Sequence, residues 1–187
     1  GSMMDRYNRA SNGARALLAT WNQHSPHPAP SLADALSSAH DAVQQLRGWI
    51  EPTADGEFSA DDLRRRLDHF VHETARGPLA FVAFRDADRD ALSELSADSQ
   101  REAAELLGNQ IPETIAMARL AREHGAFSAS SFGAGFGGSV WAAVSIDDAE
   151  EFGAAWARAY QAATPSAGAA SWFVARPGPP ATAVPLE

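Results

Sequence analysis

Gly133-Ala134-Gly135-Phe136-Gly137-Gly138 places four glycines in six positions, just ahead of the apolar run Val140-Trp141-Ala142-Ala143-Val144. Glycine reaches positive φ at no Cβ cost and lets the backbone approach another group closely, so this segment is a tight loop. The run after it has the length of a buried strand and lies between punctuating serines. The letters satisfy G-x-G-x-x-G, yet a dinucleotide loop opens a helix whose N-terminus holds the pyrophosphate. This loop opens a strand instead. The chain contains no lysine, all 15 of its basic residues being arginine, which removes a Walker A loop, a Schiff base and a lysine general base. Two readings stand at this point. Successive free amides in such a turn can cradle an anion, or the loop only lets two strands pack tightly.

The 187 residues are 45% apolar and 21% charged, proportions of a globular domain with room for a core. A net charge of −9 argues against a nucleic-acid binder, which needs a basic face. The absence of cysteine excludes thiol nucleophiles, disulfides and thiolate metal sites together. No stretch approaches the roughly 18 apolar residues of a membrane span, and no charged-then-apolar signal segment opens the chain. The expectation is a cytoplasmic protein with neither membrane nor nucleic acid as partner. Gly1-Ser2 ahead of Met3-Met4 reads as an expression remnant, so residues 1–4 are set apart from the fold.

The first half reads as helices. Ala10, Ala14, Leu17, Leu18 and Trp21 form one stripe between Asp5 and Asn22. Pro26, Pro28 and Pro30 end that helix. Shorter pieces follow over Leu32–Ser38 and Asp41–Ile50. Ser59 and Asp62 stand at capping-box spacing before a helix with Leu63, Leu67, Phe70 and Thr74 on one face. Gly77-Pro78 is expected to break it, leaving a short apolar piece from Leu79 to Phe84. Helices are expected over Asp90–Leu107, stopped by Gly108, and from Pro112 to His124-Gly125. After Gly125 the spacing predicts a strand within Ala126–Phe132, another within Ser139–Ser145, a helix capped by Ser145 and Asp148, and a strand over Ser171–Arg176. The fold class is therefore α+β, a helical first half followed by a small antiparallel sheet covered by helices. One domain spans 5–176, helical over 5–125 and sheet-forming over 126–176, ahead of a proline-rich tail over 177–187.

The segment Gly125-Ala126-Phe127-Ser128-Ala129-Ser130-Ser131-Phe132-Gly133-Ala134-Gly135-Phe136-Gly137-Gly138-Ser139 closely resembles the third conserved motif of the GHMP small-molecule kinases, in its galactokinase branch. Leu107-Gly108-Asn109-Gln110-Ile111-Pro112-Glu113-Thr114 looks like a bacterial galactokinase-like subgroup, and the helices before the loop follow in the same order. The resemblance runs from about Tyr7 and is strongest over Ser99–Val144. It implies the C-terminal domain of a two-domain kinase that passes the γ-phosphoryl of Mg·ATP to a monosaccharide, galactose or a relative. ATP and Mg2+ belong to the complete enzyme, and none is expected to bind this chain tightly alone. The serine-rich phosphate loop, the catalytic acid and most sugar contacts belong to an N-terminal half absent here; Leu36-Ser37-Ser38-Ala39 is only a chance echo of that loop. No catalytic residue is therefore assigned to this chain. The residues carried over are Gly133, Gly135, Gly137 and Gly138, bordering the cleft near substrate and nucleotide. Relatives carry Arg or Lys where this chain has Ser130, and Thr or Ser where it has Phe132, which favours a shaping role for the loop over direct phosphate binding. The implied partners are that N-terminal half and a small sugar. Separation from that half would bare apolar surface and drive self-association. The alternative is a stand-alone, non-enzymatic interaction or regulatory domain of kinase ancestry.

Other candidates reduce to structure. His69, His72 and Glu73 share a helical face at metal-ligand spacing, but with Arg65, Arg66 and Arg76 nearby they read as a solvated, cation-rich surface. No metal site is expected. His24 and His27 lie in the proline linker. Ser128, Ser130 and Ser131 lack a nucleophile elbow and read as strand hydroxyls. Asp61-Asp62 and Asp147-Asp148-Glu150-Glu151 complement helix starts. Trp141, Trp156 and Trp172 are expected in the core.

Overall fold

The computed structural model describes residues 3–165 and 170–178, with nothing said of the side chains of 3–7. Four helices come first: α1 (Met3–His24), α2 (Leu32–Ser37), α3 (Ala42–Trp49) and α4 (Ala60–Arg85). Then follow α5 (Arg89–Glu102), a π-helical turn (Ala103–Leu107), α6 (Pro112–Glu123), strands β1 (Ser128–Ser131) and β2 (Val140–Ala143), a 3-10 turn (Ile146–Asp148) and α7 (Ala149–Ala163). The architecture is α+β, with a single antiparallel pair among the described residues.

One core gathers Leu17 and Trp21 of α1, Leu46 of α3 and Leu63 and Leu67 of α4, all essentially buried. The Trp21 indole donates to the His27 carbonyl at 3.1 Å, and Asn22 bonds both ways with the Ala29 backbone, so the proline linker folds back over α1. His24 closes α1 and stacks on Trp49. The Ser59/Asp62 capping box forms as the spacing requires, with the Ser59 hydroxyl accepting from the Asp62 amide at 3.1 Å.

The expected break at Gly77-Pro78 does not occur. α4 runs through Pro78, and Leu79–Phe84 is its exposed end rather than a separate piece. Proline removes one intrahelical donor, yet the helix continues through it to Arg85, while α4 as a whole packs against α1, α5 and the π-turn. Downstream, the predicted Asp90–Leu107 helix widens into the π-turn at Ala103 and stops at Gly108, whose φ is 70°. Trp156 and Tyr160 of α7, Leu120 and Ala121 of α6 and Ala129 of β1 form a second core. α5 and α6 cover β1, and α6 packs on α7.

Three further expectations are corrected. Ser171–Arg176 is not a strand: Trp172 turns onto α7 against Gly153, and Phe173 is 86% exposed, so no ladder forms. Trp141 is 37% exposed on β2 rather than core, whereas Trp156 is buried and donates to the Met117 carbonyl at 2.9 Å. Ser145 caps no amide through its side chain, because the 3-10 turn intervenes before α7. Of the tail, 179–187 lies outside the described residues. No described helix is long and apolar enough to cross a membrane.

Candidate functional site

β1 and β2 pair from Ser128↔Ala143 to Ser131↔Val140, and the Phe132 amide donates to the Ser139 carbonyl at 2.9 Å. Everything between is the glycine loop. Four of its glycines have φ of +78° (Gly133), +82° (Gly135), +115° (Gly137) and +99° (Gly138), and Phe136 joins them at +60°. Left-handed backbone costs an L-residue roughly 1–2 kcal/mol, so the sequence Gly-x-Gly-Phe-Gly-Gly lifts that cost at four of the five positions. The structure thus brings all four sequence-predicted glycines into one loop.

Two of them also need their missing side chain for space. A Cβ on Gly135 would stand 2.2 Å from the Asn109 carbonyl oxygen, and one on Gly137 would stand 3.1 Å from Ile111 Cδ1. At Gly133 and Gly138 nothing lies within 4 Å. Gly135 is therefore the loop's contact with the body of the protein, and Gly133 and Gly138 face outward.

That contact is hydrogen-bonded as well as tight. The Phe136 amide donates to the Asn109 carbonyl at 2.5 Å, and Asn109 Nδ2 donates to the Ala134 carbonyl at 3.1 Å. Asn109 is held in turn by Gln110, whose Nε2 donates to Asn109 Oδ1 at 3.0 Å and to Ser131 Oγ at 2.8 Å. Gln110 Oε1 accepts from Gln100 Nε2 at 3.1 Å and from Thr114 Oγ1 at 2.9 Å. Gln110 thus uses both donor protons, and its oxygen accepts from Gln100 and shares the single Thr114 hydroxyl proton with the Ile111 carbonyl. Gln100 Oε1 accepts from the Ser131 amide at 2.8 Å and from Ser130 Oγ at 3.0 Å. Gln100 and Asn109 are buried, where a missing partner is costly. A relay of three side-chain amides therefore fastens the loop and β1 to α5 and the start of α6.

Sequence reasoning missed this relay. It singled out the Gly108-Asn109-Gln110 string without giving it a role. The only available signal was a pair of amides between a helix-ending glycine and a helix-opening proline. The strand serines take the places expected of hydroxyls: Ser130 and Ser131 join the relay, and Ser128 Oγ lies toward the Leu92 carbonyl. Phe132 is exposed beside the loop. The loop itself, 133–138, carries no cationic side chain.

On the His69, His72 and Glu73 face, His72 and Glu73 are solvated as expected and His69 is the exception. His69 is buried, and its Nδ1 lies 3.3 Å from an Arg66 guanidinium nitrogen. Arg76 bridges Glu73 at 2.8 Å and Glu102 at 2.5 Å, with His72 3.0 Å from Glu102. Burial pulls the His69 pKa down, Arg66 adding to it. Among the described residues no group of three His, Asp or Glu side chains stands together as a metal site.

Residues 80–162 match the family model for the C-terminal domain of GHMP kinases. Among solved structures, the chain is similar to galactokinase of Lactococcus lactis, crystallised in complex with galactose, with a TM-score of 0.69 and 22% identity. That superposition covers 88% of this chain and 39% of the galactokinase, so this chain spans about two-fifths of its length. No curated protein sequence matches. The likeness is one of fold.

Proposed function

We propose that this chain, which carries a GHMP-kinase C-terminal domain over residues 80–162, forms the C-terminal portion of a cytoplasmic galactokinase-like sugar kinase. The complete enzyme would move the γ-phosphoryl of Mg·ATP to a hydroxyl of galactose or a related monosaccharide. The observation that carries this reading is the glycine loop, held rigid by Asn109, Gln110 and Gln100 while Gly133 and Gly138 face outward.

Phosphoryl transfer depends chiefly on positioning and on electrostatic stabilisation of the transferred group. A loop with open glycine faces lets a neighbouring phosphate loop or the substrate approach the backbone closely. A fixed loop adds no ordering cost when it does so. The residues present fit that bordering role. They do not fit a nucleotide or Mg2+ site, because the loop brings neither a cation nor a carboxylate. In this reading the N-terminal half holds ATP, metal and sugar, and Gly133, Gly135, Gly137 and Gly138 shape the wall opposite.

The test compares this chain with the longest in-frame product that contains it, each assayed for ATP-dependent phosphorylation of galactose. We expect turnover from the longer product and none from this chain. A longer product that contains both halves but phosphorylates no monosaccharide would overturn the kinase reading. A second reading, a non-enzymatic interaction domain, is favoured by one observation: Leu79, Phe81, Val82 and Phe84 all lie exposed at the end of α4.

A further inference from the structure

A cleft of about 500 Å³, lined in part by Phe136, opens between α1, α4 and the π-turn. Its size falls within the range of small-molecule sites. Arg9, Arg65 and Arg66 line it with Asp62 and Glu105, and the Phe58 and Phe136 rings form apolar wall. The charges are not evenly matched. Asp62 alone accepts from both Arg9, at 3.3 Å, and Arg65, at 2.6 Å. Arg66 has no carboxylate within ion-pair distance among the described residues. Its Nε donates to the Ala10 carbonyl at 3.1 Å and one terminal nitrogen meets His69, which fixes the guanidinium. Its remaining donors make no further hydrogen bond among the described residues, and the guanidinium also lies 5.7 Å from the Phe70 ring centre. Burial without a neighbouring anion also lowers its pKa, the opposite of what an ion-paired arginine shows.

A half-buried, immobilised guanidinium without a counter-charge costs stability in the free protein. A bound anion removes that cost. We propose that this cleft binds a small organic phosphate monoester, its dianion on Arg66 and its organic part against the Phe58 and Phe136 rings. Arginine suits phosphate because its planar fork offers two parallel donors. Occupancy would also bear on the glycine loop, since Phe136 lines the cleft and its amide is bonded to Asn109. This site goes beyond the kinase reading and does not depend on it.

Calorimetric titration of the purified chain with AMP and ribose 5-phosphate, with adenosine as the uncharged control, tests the proposal. At least one monoester should bind, and adenosine should bind at least about tenfold more weakly than AMP. Arg66→Gln should weaken monoester binding by about tenfold or more. Glu105→Gln removes an exposed carboxylate from the cleft wall and should tighten binding about threefold, a readout that stands even if Arg66→Gln fails to fold. The proposal is overturned if neither monoester binds at about 10 mM, or if adenosine binds as tightly as AMP. It is equally overturned if a folded Arg66→Gln binds like the parent, or if Glu105→Gln fails to tighten binding.

Discussion

Gly135 lies directly on the backbone of Asn109, with no room between them for a single carbon: a Cβ would stand 2.2 Å from the Asn109 carbonyl oxygen. Since Gly135 also has φ of +82°, an alanine there meets both a left-handed backbone and an immovable carbonyl. Gly135→Ala should cost about 2–5 kcal/mol in urea denaturation. Gly138→Ala, in open space, should cost only the backbone strain of about 1–2 kcal/mol. Equal costs for the two would show that the Asn109 contact contributes nothing.

Gln110 is the hinge of the amide relay, and its removal leaves several groups without partners. Gln110→Ala should destabilise the domain by about 2–4 kcal/mol, from roughly 1–3 kcal/mol for each buried polar group orphaned. Amide hydrogen exchange over 133–138 should quicken more than exchange in α1, because α1 sits in the other core. Uniform quickening would mean that the relay supports the fold generally and not the loop.

The glycine loop was legible in the sequence because glycine spacing is a direct statement about φ. The capping box at Ser59 and Asp62 was legible for a similar reason, being a local bond between residues three apart. The relay was not legible, since Gln100, Gln110 and Ser131 meet only after α5, α6 and β1 are packed together. The same limit explains Pro78 and Trp172. Local rules end a helix at the first, yet α4, packed on α1 and α5, continues through it. Local rules make Ser171–Arg176 a strand, yet the gap over Gly153 takes the indole and pulls the segment onto a helix. His69 read as solvated because its helix face is rich in arginine; burial there follows from packing that periodicity alone does not specify.

The buried His69 makes stability depend on pH. Burial first, then the charges of Arg66 and Arg76, hold its pKa below the usual histidine range against the opposing pull of Glu73 and Glu102. A depressed pKa means that the unfolded chain takes up the proton first. Stability is therefore complete above the unfolded value of about 6.5 and falls as pH drops through the folded one. The melting temperature should decline from pH 7.5 to 5.5, and His69→Gln should flatten that decline. A parallel decline in the variant would assign the effect to other groups. At lower pH Glu102 adds a second loss. Burial raises its pKa, but the hydrogen bonds from Arg76 and His72 outweigh that and hold it below the usual glutamate range.

Phe81 and Phe84 are 69% and 63% exposed on the last turns of α4, beside exposed Leu79 and Val82. Contiguous apolar surface of this kind drives association in water. Sedimentation velocity should show the purified chain self-associating with rising concentration, and the double variant Phe81→Glu/Phe84→Glu should remain monomeric. Association that persists unchanged in the variant would place the contact on another face.

Gly153 and Trp172 make a paired contact between α7 and the segment that follows it. A Cβ on Gly153 would fall 2.4 Å from Trp172 Cε3 and 2.6 Å from two further ring atoms, so the indole sits in the groove the glycine leaves open. In an exposed helix Gly→Ala stabilises by about 1 kcal/mol. Here the same change must expel the ring, and burial of a large side chain is worth about 1.5–3 kcal/mol. The second effect outweighs the first, so Gly153→Ala should leave α7 intact while releasing 170–178. Tryptophan emission should shift to the red, and the Phe173–Val174 bond should become the earliest site of chymotryptic cleavage. Trp172→Ala should give the same cleavage pattern without touching the helix. If Gly153→Ala instead raises stability and leaves the Phe173–Val174 bond protected from chymotrypsin, the indole has another resting place and the groove does not hold the segment.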